Sequence, residues 1–121
     1  MTQLSSLLAA LALAGCYSMS HAQVSTQGGV LVGPNGMTLY IFDKDMADSG
    51  KSACNGTCAT NWPPLTGMAA PSGDGYSLIQ RDDGTKQIAY KGKPLYYWIK
   101  DTKPGDKTGD GVNNVWHTAT P

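Results

Sequence analysis

The chain has 121 residues, enough for one small domain. Nine basic and nine acidic side chains cancel to a formal net charge of zero, which excludes attraction to nucleic acid or to an anionic membrane by bulk charge. Once the N-terminal leader is set aside, the rest can bury one modest core.

Residues 1–22 carry no Lys, Arg, Asp or Glu, and Leu7 to Gly15 is an apolar run too short to span a bilayer. It reads as the core of a signal peptide. Two cleavage patterns coexist. Leu13-Ala14-Gly15-Cys16 has the form of a lipobox, which would leave 1–15 as the leader and Cys16 lipidated. Ser20-His21-Ala22 before Gln23 fits the small-x-small rule of ordinary signal peptidase and would remove 1–22. Both predict export, to the periplasm or to the outer membrane as a lipoprotein. Any membrane contact would run through lipid on Cys16.

Residues 23–28 follow as a polar tether, and a β domain is expected over 29–121. Gly29 to Val32, the turn Gly33-Pro34-Asn35-Gly36 and Met37 to Phe42 predict a hairpin. Ser52 to Asn61 allows a helical turn or two. Tyr76 to Arg81, the turn Asp82-Asp83-Gly84, Thr85 to Tyr90, the turn Lys91-Gly92-Lys93 and Pro94 to Ile99 predict a three-stranded meander. Val115 to Thr118 is a last short strand. Two long irregular segments, Met46 to Gly75 and Thr102 to Asn114, separate these elements. With no sustained 3.6-residue period, the fold class is mainly β: a small antiparallel sheet with long loops and at most a short helix.

The chain repeats itself. LYIFDKD at Leu39 to Asp45 returns fifty-six residues later as LYYWIKD at Leu95 to Asp101. Gly36 and Gly92 precede the two copies at equal spacing, and Trp62 and Trp116 follow at similar distances. The pattern predicts two related units, about 29–66 and about 76–121, in a pseudo-symmetric sheet. Strand alternation places Tyr40 and Phe42 on one face with Leu39 and Ile41 on the other. It likewise sets Tyr96 and Trp98 opposite Leu95, Tyr97 and Ile99. Asp45 and Asp101 fall just past each strand, where a carboxylate can accept backbone N–H groups of the loop that begins there. The same residues could instead line a ligand cradle or act as a catalytic acid pair.

At these residues the chain resembles the bacterial secreted-repeat, or predicted-lipoprotein, family with the motif Y-x-[FWY]-x-x-D. Tyr40, Phe42 and Asp45 match one copy, and Tyr96, Trp98 and Asp101 the other. Cys54-Asn55-Gly56-Thr57-Cys58, Trp62-Pro63-Pro64 and the Gly-Asp-Gly then Val-Trp-His ending are similar to it too. The resemblance implies export and a duplicated β domain. It implies no activity, since the family's function is unknown.

Cys54 and Cys58 in Cys-x-x-x-Cys spacing fit neither covalent haem nor a thioredoxin-like pair. In an oxidising compartment they predict a disulfide pinning the long loop. The competing reading is a periplasmic copper or electron-transfer site, in which two thiolates hold Cu(I) with Met46 or Met68. His117 is the remaining metal-ligand candidate, too little to complete a four-ligand zinc site. Asp106 to Gly111 resembles part of a calcium loop but lacks the acid at its third and twelfth positions. No nucleophile or phosphate-binding motif appears. The sequence therefore predicts no cofactor, no enzyme activity, and a binding or structural role toward an envelope protein or a small ligand.

Overall fold

A computed structural model describes residues 24–121. Both signal-peptide cleavage points and the lipidation candidate Cys16 lie outside the described residues. Among these residues the architecture is mainly β, with three small antiparallel sheets, one short α-helix, a 3-10 turn at Val112–Asn114 and the two repeat units. Strand β1 (Ser25–Gln27) pairs with β2 (Val30–Val32), and β3 (Tyr40–Phe42) pairs with β7 (Trp116–Thr118). Strands β4 (Tyr76–Gln80), β5 (Lys86–Tyr90) and β6 (Lys93–Pro94) form the expected meander in that order.

Two expectations are corrected. The segment read as a tether is strand β1. Gly28 and Gly29 both take positive φ (60° and 83°), which makes the tight two-residue turn a right-twisted hairpin favours. The strand expected from Pro94 to Ile99 is regular only at Lys93–Pro94. Beyond it the chain changes partners residue by residue, with Tyr96 bridging both Tyr40 and Pro64. Ile99, expected beside Leu95 and Tyr97, is 55% exposed.

Those partner changes organise the fold. Leu31 N–H donates to Ala119 C=O (2.8 Å), Ala119 N–H to Leu39 C=O (2.8 Å), and Leu39 N–H to Leu31 C=O (2.9 Å). The second repeat draws the same closed triangle. Ile88 donates to Leu65 (2.8 Å), Leu65 to Leu95 (2.9 Å) and Leu95 to Ile88 (3.0 Å). Each triangle takes two segments from one repeat and its third from the other. The two halves meet where Tyr40 and Tyr96 exchange backbone bonds of 2.8 and 3.0 Å, a hydrogen-bonded antiparallel pair on the pseudo-twofold.

The six triangle residues are also the buried members of the first apolar core, with Ile41 and Tyr97 packed against it. Tyr40, Tyr96, Trp62, Trp116 and Cys54 form a second core, joined by Phe42 and Trp98. The period-2 alternation thus sends Leu39, Ile41, Leu95 and Tyr97 to one core and the motif aromatics to the other. The helix α1 (Thr57–Asn61) lies within the predicted 52–61 stretch and has no side-chain cap. Gly92 marks how closely the repeats approach. It sits at φ 79°, and a Cβ there would collide with Asp48.

Candidate functional site

The motif residues converge, but each acid serves the opposite repeat. Tyr40 Oη donates to Asp101 Oδ2 at 2.6 Å, and Tyr96 Oη donates to Asp45 Oδ2 at 2.6 Å. The other oxygen of each carboxylate holds its own loop, as expected from the sequence. Asp45 Oδ1 accepts Ala53 N–H at 2.6 Å. Asp101 Oδ1 accepts both the backbone N–H (3.0 Å) and the hydroxyl (2.6 Å) of Thr108. Short bonds to a carboxylate are the strong kind, and here they tie a central strand of one repeat to the loop of the other.

Burial and the Asp101 carboxylate push the Tyr40 hydroxyl well above the ordinary tyrosine value. Burial and Asp45 do the same to Tyr96. Desolvation raises Asp45 above its usual range, opposed by the bonds from Tyr96 and Ala53 and by the charge of Arg81. In both pairs the proton therefore stays on the tyrosine. All four oxygens are engaged as acceptors, so the pairs form crosslinks rather than a free acid and a free base.

A network that sequence reasoning missed backs one pair. Arg81 is buried. Its Nη1 donates to Ser52 Oγ (2.9 Å) and Gln87 Oε1 (2.8 Å), and its Nη2 donates to Cys54 C=O (2.5 Å). Ser52 Oγ lies 2.6 Å from Tyr96 Oη. A chain therefore runs from guanidinium through Ser52 and Tyr96 to the Asp45 carboxylate, with opposite charges at its ends polarising the hydroxyls between. Gln87 Nε2 continues it to Leu95 C=O at 2.8 Å. Arg81 is the chain's one arginine, and that choice over lysine was the available signal, since only the guanidinium fork reaches several fixed acceptors at once. The Tyr40–Asp101 half has Gly109 N–H on Tyr40 Oη (3.2 Å) instead.

The second core is an aromatic column. Trp62 and Trp116 stack at 3.8 Å and 3°, Trp98 stacks on Trp62 at 3.9 Å, and Phe42 stacks on Trp116 at 4.2 Å. Tyr40 meets Trp62 edge-on at 5.4 Å, and Tyr96 meets Trp116 edge-on at 5.1 Å. Every stacking contact repeats across the pseudo-twofold. Such pairs contribute about 0.5–1.5 kcal/mol each beyond burial.

Cys54 and Cys58 are disulfide-bonded, with Cα atoms 5.2 Å apart. The bond closes the turn that carries α1 and the Cys54 carbonyl held by Arg81. Bonded to each other, the two sulfurs offer no thiolate in this state. Met46 and Met68 are exposed, at 74% and 91%. His117 Nε2 pairs with Asp43 Oδ2 at 2.7 Å on the surface. The acids of the calcium-like loop are engaged by donors from flanking residues. Asp106 takes Lys103 Nζ (2.6 Å) and Thr102 N–H (2.9 Å), and Asp110 takes Thr118 N–H (3.1 Å). Among the described residues no group of three or more His, Cys, Asp and Glu gathers for a metal ion, and no helix is long and apolar enough to cross a membrane.

A family model described as a secreted repeat of unknown function matches residues 22–66 and 77–120. No curated protein and no solved structure matches the chain.

Proposed function

The chain belongs to this family of secreted repeats, and we propose that it is an exported envelope module that binds a protein or small ligand rather than catalysing a reaction. The observation that carries this reading is the exchanged pairing of Tyr40 with Asp101 and Tyr96 with Asp45. The motif defining the repeat is occupied in joining the two units, so the surfaces left for function are the clefts and loops around that scaffold. Its place is the periplasm, or the outer membrane through lipid on Cys16.

The test has two arms. Native protein purified from its own envelope, with and without crosslinking, should bring down one stoichiometric component. The purified domain should show no hydrolytic or redox turnover that disappears in Asp45→Asn or Asp101→Asn. Turnover lost in either folded variant would overturn the reading. Intact mass of the mature chain decides the anchor. Diacylglycerol on Cys16 supports the lipoprotein, and a chain beginning at Gln23 refutes it.

A further inference from the structure

The two loops that leave the central strands do the same work by different means. Ala53 and Thr108 occupy equivalent places, since each gives its N–H to the Oδ1 of its own repeat's aspartate. Cys54 follows the first and Gly109 the second. Cys54 is buried in the aromatic core, and a Cβ on Gly109 would come within 2.8 Å of Trp62. Cys58 and Val112 each stand four residues before the tryptophan that their loop delivers, and both are partly buried against the same core. The second repeat therefore ties its aspartate and places Trp116 with no covalent link between Gly109 and Val112.

By that internal comparison the disulfide is not what shapes the first loop. The backbone at both cysteines is held without it. Cys54 N–H donates to Ser52 Oγ (3.1 Å), and its C=O accepts Arg81 Nη2 (2.5 Å). Cys58 N–H donates to Asn55 C=O (3.2 Å), and its C=O accepts Trp62 N–H (2.8 Å). With these bonds in place two thiols would remain within bridging distance, their Cα atoms 5.2 Å apart. The bond closes a sequence separation of only 4, and so short a loop takes little entropy from the unfolded chain. By the same linkage, folding does little to hold the bond shut.

We infer that Cys54–Cys58 is a reversible dithiol–disulfide couple, opened and closed in the folded protein by exchange with an exported dithiol. Cys54 has no exposed surface, so the exchange falls on Cys58. Its helix α1 holds no buried residue, Asn55, Gly56 and Thr57 before it are exposed, and the space over Gly56 is open. A donor thiolate bonds to Cys58 Sγ, the Sγ–Sγ bond breaks, and Cys54 Sγ leaves as a thiolate that takes up a proton. Arg81, bonded to the Cys54 carbonyl, sets a cation beside the leaving residue. The donor's second thiolate then displaces Cys58 Sγ, which is protonated in turn. The chain gains two electrons and two protons, and the dithiol becomes a disulfide. This exchange happens once per chain, and it goes beyond the binding-module reading without resting on it.

The test places the full mature chain in graded mixtures of reduced and oxidised glutathione at neutral pH, followed by acid quench, alkylation and intact mass. Two alkylated cysteines should appear while near-UV dichroism stays native, and the bond should re-form when oxidised glutathione is restored. The rate of opening should rise in proportion to thiol and stay flat with urea below the unfolding midpoint. A structural bond resists the glutathione pool, so a bond that stays closed across the mixtures, or that opens only as fast as the chain unfolds, overturns the inference. Single variants locate the attacked sulfur. Cys54→Ser should take up glutathione from its disulfide on Cys58, and Cys58→Ser should do so on the buried Cys54 at least about tenfold more slowly. Equal rates or the reverse order in variants with native dichroism overturn the exchange at Cys58, and the wild-type arm decides alone if either variant fails to fold. If the bond never exchanges while the native protein still brings down an envelope component, this inference fails and the module reading stands.

Discussion

Replacing Tyr96 with phenylalanine removes one oxygen and keeps the ring. That oxygen donates to Asp45 at 2.6 Å and shares a 2.6 Å bond with Ser52. A bond to a charged group contributes about 1.5–3 kcal/mol and a neutral one about 1 kcal/mol. The variant should therefore lose about 2–4 kcal/mol, a large share of the roughly 5–15 kcal/mol typical of a domain. For a domain of this size that corresponds to a fall in Tm of roughly 10–30 °C. The loss should depend on pH. Tyr96 lowers the Asp45 pKa against desolvation, so its removal leaves a more costly carboxylate, and protonation in acid relieves that cost. Urea unfolding of both proteins should show an unchanged m-value and a stability gap that narrows as pH falls through the Asp45 pKa. A loss under about 0.5 kcal/mol at neutral pH, within the range of an ordinary surface change, would refute the assignment of Tyr96 as a crosslink.

Three further outcomes follow from the same network. Tyr40 and Tyr96 both have raised pKa values, so the stability they supply is full below the unfolded tyrosine value of about 10 and is lost as pH climbs above it. Absorbance at 295 nm should show two tyrosines ionising only as near-UV dichroism collapses. Arg81→Lys should cost about 2–4 kcal/mol by chemical denaturation, because an ammonium cannot serve Ser52, Gln87 and Cys54 together. Reducing the Cys54–Cys58 bond, with a sequence separation of 4, should cost about 2 kcal/mol by loop entropy, seen as a lower urea midpoint in reductant.

The two faces of each central strand were legible in the sequence because alternation is local. Leu39 and Tyr40 must point opposite ways wherever their partners come from. The meander was legible for the same reason, its turns being marked by Asp82-Asp83-Gly84 and Lys91-Gly92. The exchange was not legible. Two identical motifs have the same local content whether each aspartate binds its own tyrosine or the other's, and only the antiparallel pairing of Tyr40 with Tyr96 decides it. The strand beyond Pro94 broke up for the same non-local cause, since its residues serve three different partners in succession. Strand β1 was hidden by its polar composition, although Gly28-Gly29 carried the hairpin signal.

The claim that the repeats are joined by exchange is tested most directly by double-mutant cycles on the four motif residues. Tyr→Phe and Asp→Asn changes are combined in both possible ways and measured by urea unfolding. The structure predicts coupling of about 1–3 kcal/mol for Tyr40 with Asp101 and for Tyr96 with Asp45, and additivity within about 0.5 kcal/mol for Tyr40 with Asp45 and Tyr96 with Asp101. Coupling confined to the pairs within one repeat would contradict it.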